Sequence, residues 1–338
     1  MSRLNDFQAN PGANGYISLC YHYIRPDKKD PFPRILGTKT SEFKNQLTML
    51  EQNFKIISFD EALKFSYEKN LSSIKKIGVL ITFDDGLSDH FLAAKILAEH
   101  NIKSIFFIPT CILKDELPAN PIIIHYGIAL FGLEQFLIAL RSALKKNKLE
   151  LEKFNVNYVS GRDNVWKKID ETKSIFKYRL DYKKSRDVLL HIYENLILTK
   201  YPDIIKKMHV NKKQVKEMIE MGHTIGAHTH THISVAVTSL SKKDFYKEMI
   251  FPKKYFESEF NIPINSFSYP FGEKKDCLSA AKFLKKTNEY KLAFTVNEIM
   301  NFYNTSPLEL GRFQPHSNDD ADSIRENMLQ IIKESIAQ

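Results

Sequence analysis

The sequence predicts an α/β fold in which helices cover a mainly parallel sheet. Apolar runs of strand length alternate with amphipathic runs of helical length over most of the 338 residues. Polar clusters follow directly after several of the predicted strands. In barrels built from strand–helix units, active sites lie at that end of the strands. Neither an internal repeat nor a Gly-rich phosphate loop is present in the sequence.

The alternation gives the elements in order. Apolar and β-branched runs predict strands at 16–21, 55–59, 78–83, 103–109, 223–227, 266–269, 291–296 and 309–313. Amphipathic runs predict helices at 41–53, 60–69, 90–99, 212–221, from 241 onward, 276–287 and 320–336. Asn211 and Ser241 are expected N-caps, and Pro252 is expected to kink or split the helix that begins at Ser241.

The regular alternation stops in the middle of the chain. We therefore predict that residues 1–111 and 211–338 form the two parts of one α/β unit, and that 112–210 is a mainly helical insertion. The insertion is too rich in apolar residues to be disordered, and it holds Trp166, the only tryptophan.

Composition narrows the class of protein. The chain is 43% hydrophobic and 26% charged, which is typical of a soluble globular protein, and its longest apolar runs are only strand-sized. The stretch 1–14 is polar and lacks the apolar core of a signal peptide. Three widely spaced cysteines, Cys20, Cys111 and Cys277, predict neither a disulfide framework nor a thiolate zinc site. We expect a reduced, cytoplasmic protein.

The formal net charge of +9 has two interpretations. Lysines can simply cover a solvated surface. Alternatively, the charge can serve an anionic partner such as a sugar nucleotide, a lipid-linked sugar phosphate or the face of a membrane. Nucleic acid is not expected, since the lysines are scattered and no nucleic-acid-binding motif is present. The sequence leaves the oligomeric state open.

Two adjacent carboxylates follow the predicted strand 78–83. Asp84 and Asp85 stand where this strand runs into the glycine turn at Gly86. Asp is unfavourable in strands, and paired carboxylates repel each other, so a cation is the simplest compensation. Their side chains alternate in direction, so one can bind a metal while the other accepts a proton. Taken alone, the pair is also explained as a helix cap and a turn residue.

Three histidines lie within five residues downstream, at His228, His230 and His232. Whether this run is a strand or a helical turn, His228 and His232 can converge on one cation, and imidazole suits zinc, iron, cobalt or nickel. Together with the Asp pair, the run predicts an Asp–His–His site. Three protein ligands with an open position are typical of a catalytic metal.

These residues resemble the motifs of the polysaccharide deacetylase, or NodB-homology, family of carbohydrate esterases. Thr82–Gly86 match its TFDDG motif letter for letter. His228–His232 match its H-S/T-x-x-H motif, and Gly222–Gly226 fit the lead-in to it. Phe267–Gly272 resemble its third motif, a turn whose Pro and Gly can hold a backbone N–H outward. The resemblance covers about 16–110 and 211–316.

The resemblance implies a distorted (β/α) barrel of the NodB-homology type, carrying the large helical insertion. It also implies a divalent metal, zinc first and cobalt, nickel or iron as alternatives, held by Asp85, His228 and His232. His230 is then a neighbour and not a ligand. Asp84 is then the general base that deprotonates water, and the backbone N–H of Phe271 stabilises the oxyanion.

The sequence departs from the family at the third motif. The family usually has there an Arg that orients the catalytic Asp, whereas this chain has Ser268. We expect Arg312, on a later strand, to replace it. The family's fourth motif is not recognisable, so the general acid stays open between His316 and His22. His125, in the insertion, is expected to be an ordinary packing or surface residue.

The leading hypothesis is an enzyme, a metal-dependent hydrolase that removes the N-acetyl group from an acetamido sugar in cell-surface polysaccharide biosynthesis. That sugar can be nucleotide-linked, lipid-linked or part of a small glycan, and a phosphate on it or peripheral contact with a membrane fits the charge. One alternative is a deformylase or another amidohydrolase acting on a non-acetyl amide. The other is a metal- or carbohydrate-binding protein whose catalysis has decayed.

Overall fold

A curled, mainly parallel sheet forms the centre of the protein. The structure is a computed structural model that describes residues 14–68, 77–157, 164–235 and 240–337. Its strands within these ranges are β1 (Gly15–Tyr21), β2 (Ile24–Arg25), β3 (Thr38–Lys39), β4 (Lys55–Ile56), β5 (Gly78–Phe83), β6 (Ile105–Ile108), β7 (Thr224–Ala227), β8 (Ser266–Ser268), β9 (Leu292–Phe294), β10 (Asn301–Phe302) and β11 (Arg312–Phe313).

The sheet closes on itself as a distorted barrel. Its parallel strands are neighbours in the order β1, β5, β6, β7, β8 and β9. Leu310 bridges to Phe294 at the end of β9, and two residues later Arg312 pairs with Ser18 of β1. The short strand that carries Arg312 therefore joins the two edges of the sheet. The predicted α/β class and distorted barrel are confirmed.

The helices outside the middle of the chain begin and end close to the predicted positions, and the sequence predicts no helix bounds within it. The α-helices of the described ranges are α1 (Thr40–Asn53), α2 (Phe59–Glu68), α3 (Asp89–Glu99), α4 (Cys111–Lys114), α5 (Asn120–Lys146), α6 (Val165–Ser174), α7 (Tyr182–Ile192), α8 (Ile205–Met208), α9 (Lys212–Glu220), α10 (Lys242–Phe245), α11 (Phe251–Phe260), α12 (Lys274–Thr287) and α13 (Ala321–Ala337).

Local sequence signals account for several of these ends. Asn211 and Ser241 both form capping boxes, in which the side chain of the cap and that of the third helical residue bond reciprocally. Pro252 stands in the first turn of α11, and a π-helical turn over Tyr246–Ile250 separates α11 from α10. The predicted split at Pro252 is confirmed, because proline cannot continue the bonding of the preceding turn.

The middle of the chain is mostly helical, as predicted. It contains α4–α8, short π-helical turns and a 3₁₀ turn. The division of the chain at 111/112 and 210/211 stays a prediction.

The helix α5 differs from the strand-sized apolar runs expected there. It is long and apolar enough to cross a membrane, by length and composition only. Core helices of globular proteins have the same composition, and Gly132 interrupts α5 with a φ of 82°. Tyr126 and Phe136 of α5 are buried in the main hydrophobic core.

The strand β5 shows why the site residues are held firmly. All six residues of Gly78–Phe83 are buried, as expected for a parallel strand covered on both faces. The ring of Phe83 stacks on Phe106 of β6 with centroids 4.6 Å apart. The loop that follows β5 therefore begins from a fixed position in the core.

Candidate active site and metal centre

The loop after β5 sends its two carboxylates in different directions. Asp85 has a φ of 78° and Gly86 a φ of 58°, so the chain turns sharply through two left-handed residues. At Gly86 a Cβ would meet the Ile112 side chain at 2.8 Å, which favours glycine at this position. The sharp turn begins directly after Asp84. In the structure, Asp84 and Asp85 face different partners.

Asp85, His228 and His232 converge in the barrel end. One ligand atom from each lies within 4.8 Å of the other two, and all three residues are buried. The Oδ1 atom of Asp85 lies 3.0 Å from Nε2 of His232 and 3.4 Å from Nε2 of His228. Two imidazoles and one carboxylate form a donor set that suits zinc and other first-row divalent metals.

The hydrogen bonds around these residues fit a cation. The buried Oδ1 of Asp85 has no hydrogen-bond partner among the described residues, although two imidazole nitrogens lie near it. Nδ1 of His228 donates to the carbonyl oxygen of Ser268 at 2.8 Å, which leaves Nε2 with a free lone pair. A divalent ion would satisfy the carboxylate oxygen and both Nε2 atoms, so the residues present fit the metal that the resemblance implies.

The electrostatics of the cluster are consistent with an ionised Asp85. Burial alone raises the pKa of the Asp85 carboxyl, but His232 and His228 more than offset it and bring that pKa well below its usual range.

A buried carboxylate shapes the histidine loop. Glu248 is fully buried, and its Oε2 accepts the backbone N–H groups of His230 (3.1 Å) and Thr231 (2.9 Å). The Thr231 hydroxyl donates to Oε1 at 3.1 Å. Thr229 and His232 both have a φ of 60°, so the loop is tightly curled and needs such anchoring. Nothing in the local sequence distinguishes Glu248 from a surface glutamate.

We expect Glu248→Ala to weaken divalent-metal affinity by about 10- to 100-fold, because the loop that presents both histidines loses its anchor. The measurement is a metal titration, with thermal unfolding recorded in parallel. Glu259→Ala is the matched control, because Glu259 is exposed and pairs with Lys212 at the surface. An unchanged metal affinity in folded Glu248→Ala would show that the loop holds its shape without this carboxylate.

Asp84 is clamped by Arg312. The guanidinium makes a bidentate pair with the carboxylate, Nη1 to Oδ1 at 2.8 Å and Nη2 to Oδ2 at 2.7 Å. It also donates to Ser268 Oγ, Thr82 Oγ1 and the carbonyl oxygen of Thr295. Arg312 has no solvent exposure, so its position is defined by these five donated bonds. Ser268 in turn donates to Oδ2 of Asp84 at 2.9 Å.

This arrangement keeps Asp84 ionised. Burial alone raises the pKa of the Asp84 carboxyl, but Arg312 and then His228 outweigh it, so that pKa lies well below its usual range. The structure thus brings Arg312 from β11 to Asp84, beside the serine that stands where the family has an arginine.

Phe271, in the turn of the third motif, lines the same cavity as Asp85 and His232. Phe271 and Gly272 have φ values of 64° and 67°, and the ring of Phe271 contacts the ring of His232 edge-on at 5.0 Å. From the helical segment, Lys177 places its Nζ 4.3 Å from the centroid of the Phe271 ring and 3.0 Å from Oδ2 of the buried Asp276. Lys177, which sequence reasoning missed, therefore fixes the position of this turn.

The two candidate general acids, His22 and His316, differ in their distance from the candidate metal ligands. His22, Asp85, His232 and Phe271 line one cavity of about 490 Å³, which we call the site cavity. A nitrogen of His22 also lies within 4.8 Å of a carboxylate oxygen of Asp84. His316 is exposed and lines a neighbouring cavity, so the structure does not bring it to the three candidate ligands.

His125 and His230 differ in their position relative to the site cavity. His125 lines the site cavity, contrary to the expectation of a packing or surface residue, and its Nδ1 lies 3.2 Å from the hydroxyl of Tyr23. Burial, with a contribution from Lys173, lowers the pKa of His125 to about 3. His230 points away from the candidate ligands toward Thr110 and Asp115, at 2.8 and 3.0 Å, as expected for a neighbour.

One family model matches part of the chain. The family model for polysaccharide deacetylase matches residues 191–291, which include the histidine run and the third motif but not the Asp pair. The resemblance inferred from the motifs is confirmed. No curated protein matches the chain by sequence.

Several solved structures share the fold. One is the deacetylase PplD from Streptococcus pyogenes in complex with acetate, at 16% identity and a TM-score of 0.56, covering 93% of this chain and 99% of that one. Another is IcaB from Ammonifex degensii, at 16% identity and a TM-score of 0.53, covering 94% of this chain and 97% of that one. A third is a de-N-acetylase from Aggregatibacter actinomycetemcomitans, at 14% identity and a TM-score of 0.52, covering 93% of this chain and 100% of that one.

Proposed function

We propose that this chain, which has the fold and the motifs of polysaccharide deacetylases, is a metal-dependent hydrolase that removes the N-acetyl group from an acetamido sugar. The observation that carries the proposal is the pairing of two carboxylates with separate tasks. Asp85 joins His228 and His232 in a three-ligand cluster, while Arg312 holds Asp84 ionised beside it.

Metal dependence rests on the donor set. Asp85, His228 and His232 would hold the ion, with zinc first and cobalt, nickel or iron as alternatives. A bound divalent ion supplies Lewis acidity for water and for the acetamido carbonyl. Since Asp85 and His232 line the site cavity, an open coordination position toward substrate fits the cluster.

The remaining steps fall to residues of the chain. Asp84 accepts the proton of the attacking water, and the backbone N–H of Phe271 donates to the carbonyl oxygen as negative charge develops on it. His22 donates a proton to the departing amine, so that acetate and the free amino sugar leave. We place the acid at His22 because it lies beside Asp84 in the site cavity, unlike His316.

The direct test is release of acetate from N-acetylglucosamine oligomers by the metal-loaded protein. The proposal expects acetate and one new amine per cleavage, and loss of both on treatment with a chelator. Formate release from N-formylated sugars, at a higher rate than acetate release, would favour the deformylase alternative. Binding of oligomers without any product would favour the decayed binding protein.

A cytoplasmic location remains part of the proposal. The three cysteines are free and buried, which fits a reducing compartment. Cell fractionation with an antibody against the chain tests it directly.

A further inference from the structure

A second cavity adjoins the site cavity. Its volume is about 790 Å³, and we call it the adjacent cavity. His22, His125, Lys173 and Gln314 line both cavities, so the two share a wall or an opening. Together they have room for more than one sugar ring. A substrate whose acetamido group reaches Asp85 and His232 therefore has space to continue into the adjacent cavity.

The adjacent cavity carries positive charge and no described carboxylate. Arg34 and Lys173 line it, and none of its described lining residues is Asp or Glu. In contrast, the site cavity is lined by both signs of charge, with Asp85, Asp170 and Glu273 beside Lys173, Lys177 and Lys275. The adjacent cavity is therefore the one of the two whose cations have no carboxylate among the described lining residues.

The two cations are not committed to other residues. Neither the Arg34 nor the Lys173 side chain forms an ion pair or hydrogen bond with a described residue. By comparison, Lys177 and Lys183 of the same helical segment pair with Asp276 and Asp244. Uncommitted Arg and Lys side chains at one cavity are suited to an anion, because Arg offers a planar fork of donors and Lys a point charge.

Exposed apolar side chains also line the adjacent cavity. Trp166 and Leu36 are the two most exposed large apolar side chains among the described residues, at 63% and 59%, and Val165 lies beside them at 39%. Exposure of this kind, clustered at one opening, is typical of a binding surface. Trp166 offers a flat face for a ring or an apolar chain.

The geometry points to a substrate in which the acetamido sugar is a phosphate ester of an apolar or aromatic group. This inference rests on the proposed function and names its substrate class. The acetamido group lies in the site cavity, the phosphate lies between Arg34 and Lys173, and the esterified group lies against Trp166 and Leu36. A nucleoside diphosphate and a polyprenyl phosphate share this chemistry.

The test measures binding, so it does not need turnover. Trp166 is the only tryptophan in the chain, so its fluorescence reports directly on the adjacent cavity. The probes are N-acetylglucosamine, N-acetylglucosamine 1-phosphate, and its diphosphate esters with uridine and with a short prenyl chain, and calorimetry measures the affinity of each. We expect each phosphate to bind at least about tenfold more tightly than the neutral sugar, and the two diphosphate esters to perturb the fluorescence of Trp166.

Variants test whether the preference for phosphate arises in the adjacent cavity. Lys173→Met with Arg34→Met should remove the preference for phosphate, whereas Lys167→Met, an exposed lysine on the same helix, should keep it. Whichever of the uridine and prenyl esters binds more tightly identifies the group that is esterified to the phosphate. Equal affinity for neutral and phosphorylated sugars, or a preference that survives the double variant, overturns the inference. Acetate release from neutral oligomers in that case leaves the proposed function intact.

Discussion

Replacing Asp84 with Asn should lower kcat by about 10²- to 10⁴-fold, because the amide cannot accept the proton of the attacking water. The variant should still bind one divalent ion, since Asp84 is not among the three converging ligands. Asn also preserves the shape of the side chain and the bond that Ser268 donates to it. The measurement is initial-rate kinetics of acetate release, with metal content determined on the same sample.

The control for this change is Asp322→Asn, which alters an exposed carboxylate on α13 and should leave kcat unchanged. His22→Gln tests the acid separately, because it removes the proton donor for the departing amine and leaves Asp84 in place, so it should lower kcat without changing the metal content. Substantial activity in Asp84→Asn would assign the base to another residue.

Replacing Arg312 with Met should cost about 3–5 kcal/mol in the free energy of unfolding, because it leaves the Asp84 carboxylate buried without its partner. The fully buried Arg312 also loses the bonds to Thr82, Thr295 and Ser268. Activity should fall with it. Without the guanidinium, burial raises the pKa of Asp84, so that the carboxyl binds a proton closer to neutral pH.

A double variant tests the cause. Asp84→Asn with Arg312→Met removes both charges, so it should be more stable than Arg312→Met alone, although it stays inactive. The control is Arg325→Met at the surface, where Arg325 pairs with Asp322 and Glu326 and little stability is at stake. Chemical denaturation of wild type, the two single variants and the double variant measures the coupling energy between Asp84 and Arg312. If the losses of unfolding free energy in the two single variants simply add up in the double variant, the two side chains do not stabilise the protein as a pair.

The same pair sets a pH dependence of stability. The pKa of Asp84 is lower in the folded protein than in the unfolded chain. Its contribution is therefore complete above the unfolded pKa of about 3.9, and it is lost as pH falls toward the folded value.

The chemistry at the strand ends was predictable from sequence because it is local. The Asp pair, the histidine run and the third turn each follow a strand directly, and the strands themselves are apolar runs with clear ends. Parallel strands place their carboxyl ends at one edge of the barrel, which is enough to bring these loops together. The presence of Ser268 in place of an arginine also indicated that another cation was needed at Asp84.

Residues from other parts of the chain gave no such signal. Glu248, Lys177 and His125 stand on helices, where a polar residue normally faces solvent. Their roles depend on how those helices pack against the barrel, which hydrophobic periodicity does not specify. The two-residue strands β2, β3 and β10 were missed because they are too short to show alternation.

The proposed function depends on a metal site formed by Asp85, His228 and His232, and elemental analysis of the purified protein tests it most directly. Wild type and His228→Ala are compared after incubation with zinc and removal of the unbound ion. We expect about one divalent ion per chain in wild type and almost none in the variant. No ion in wild type after incubation with zinc, cobalt or nickel, or an equal amount in His228→Ala, would contradict it.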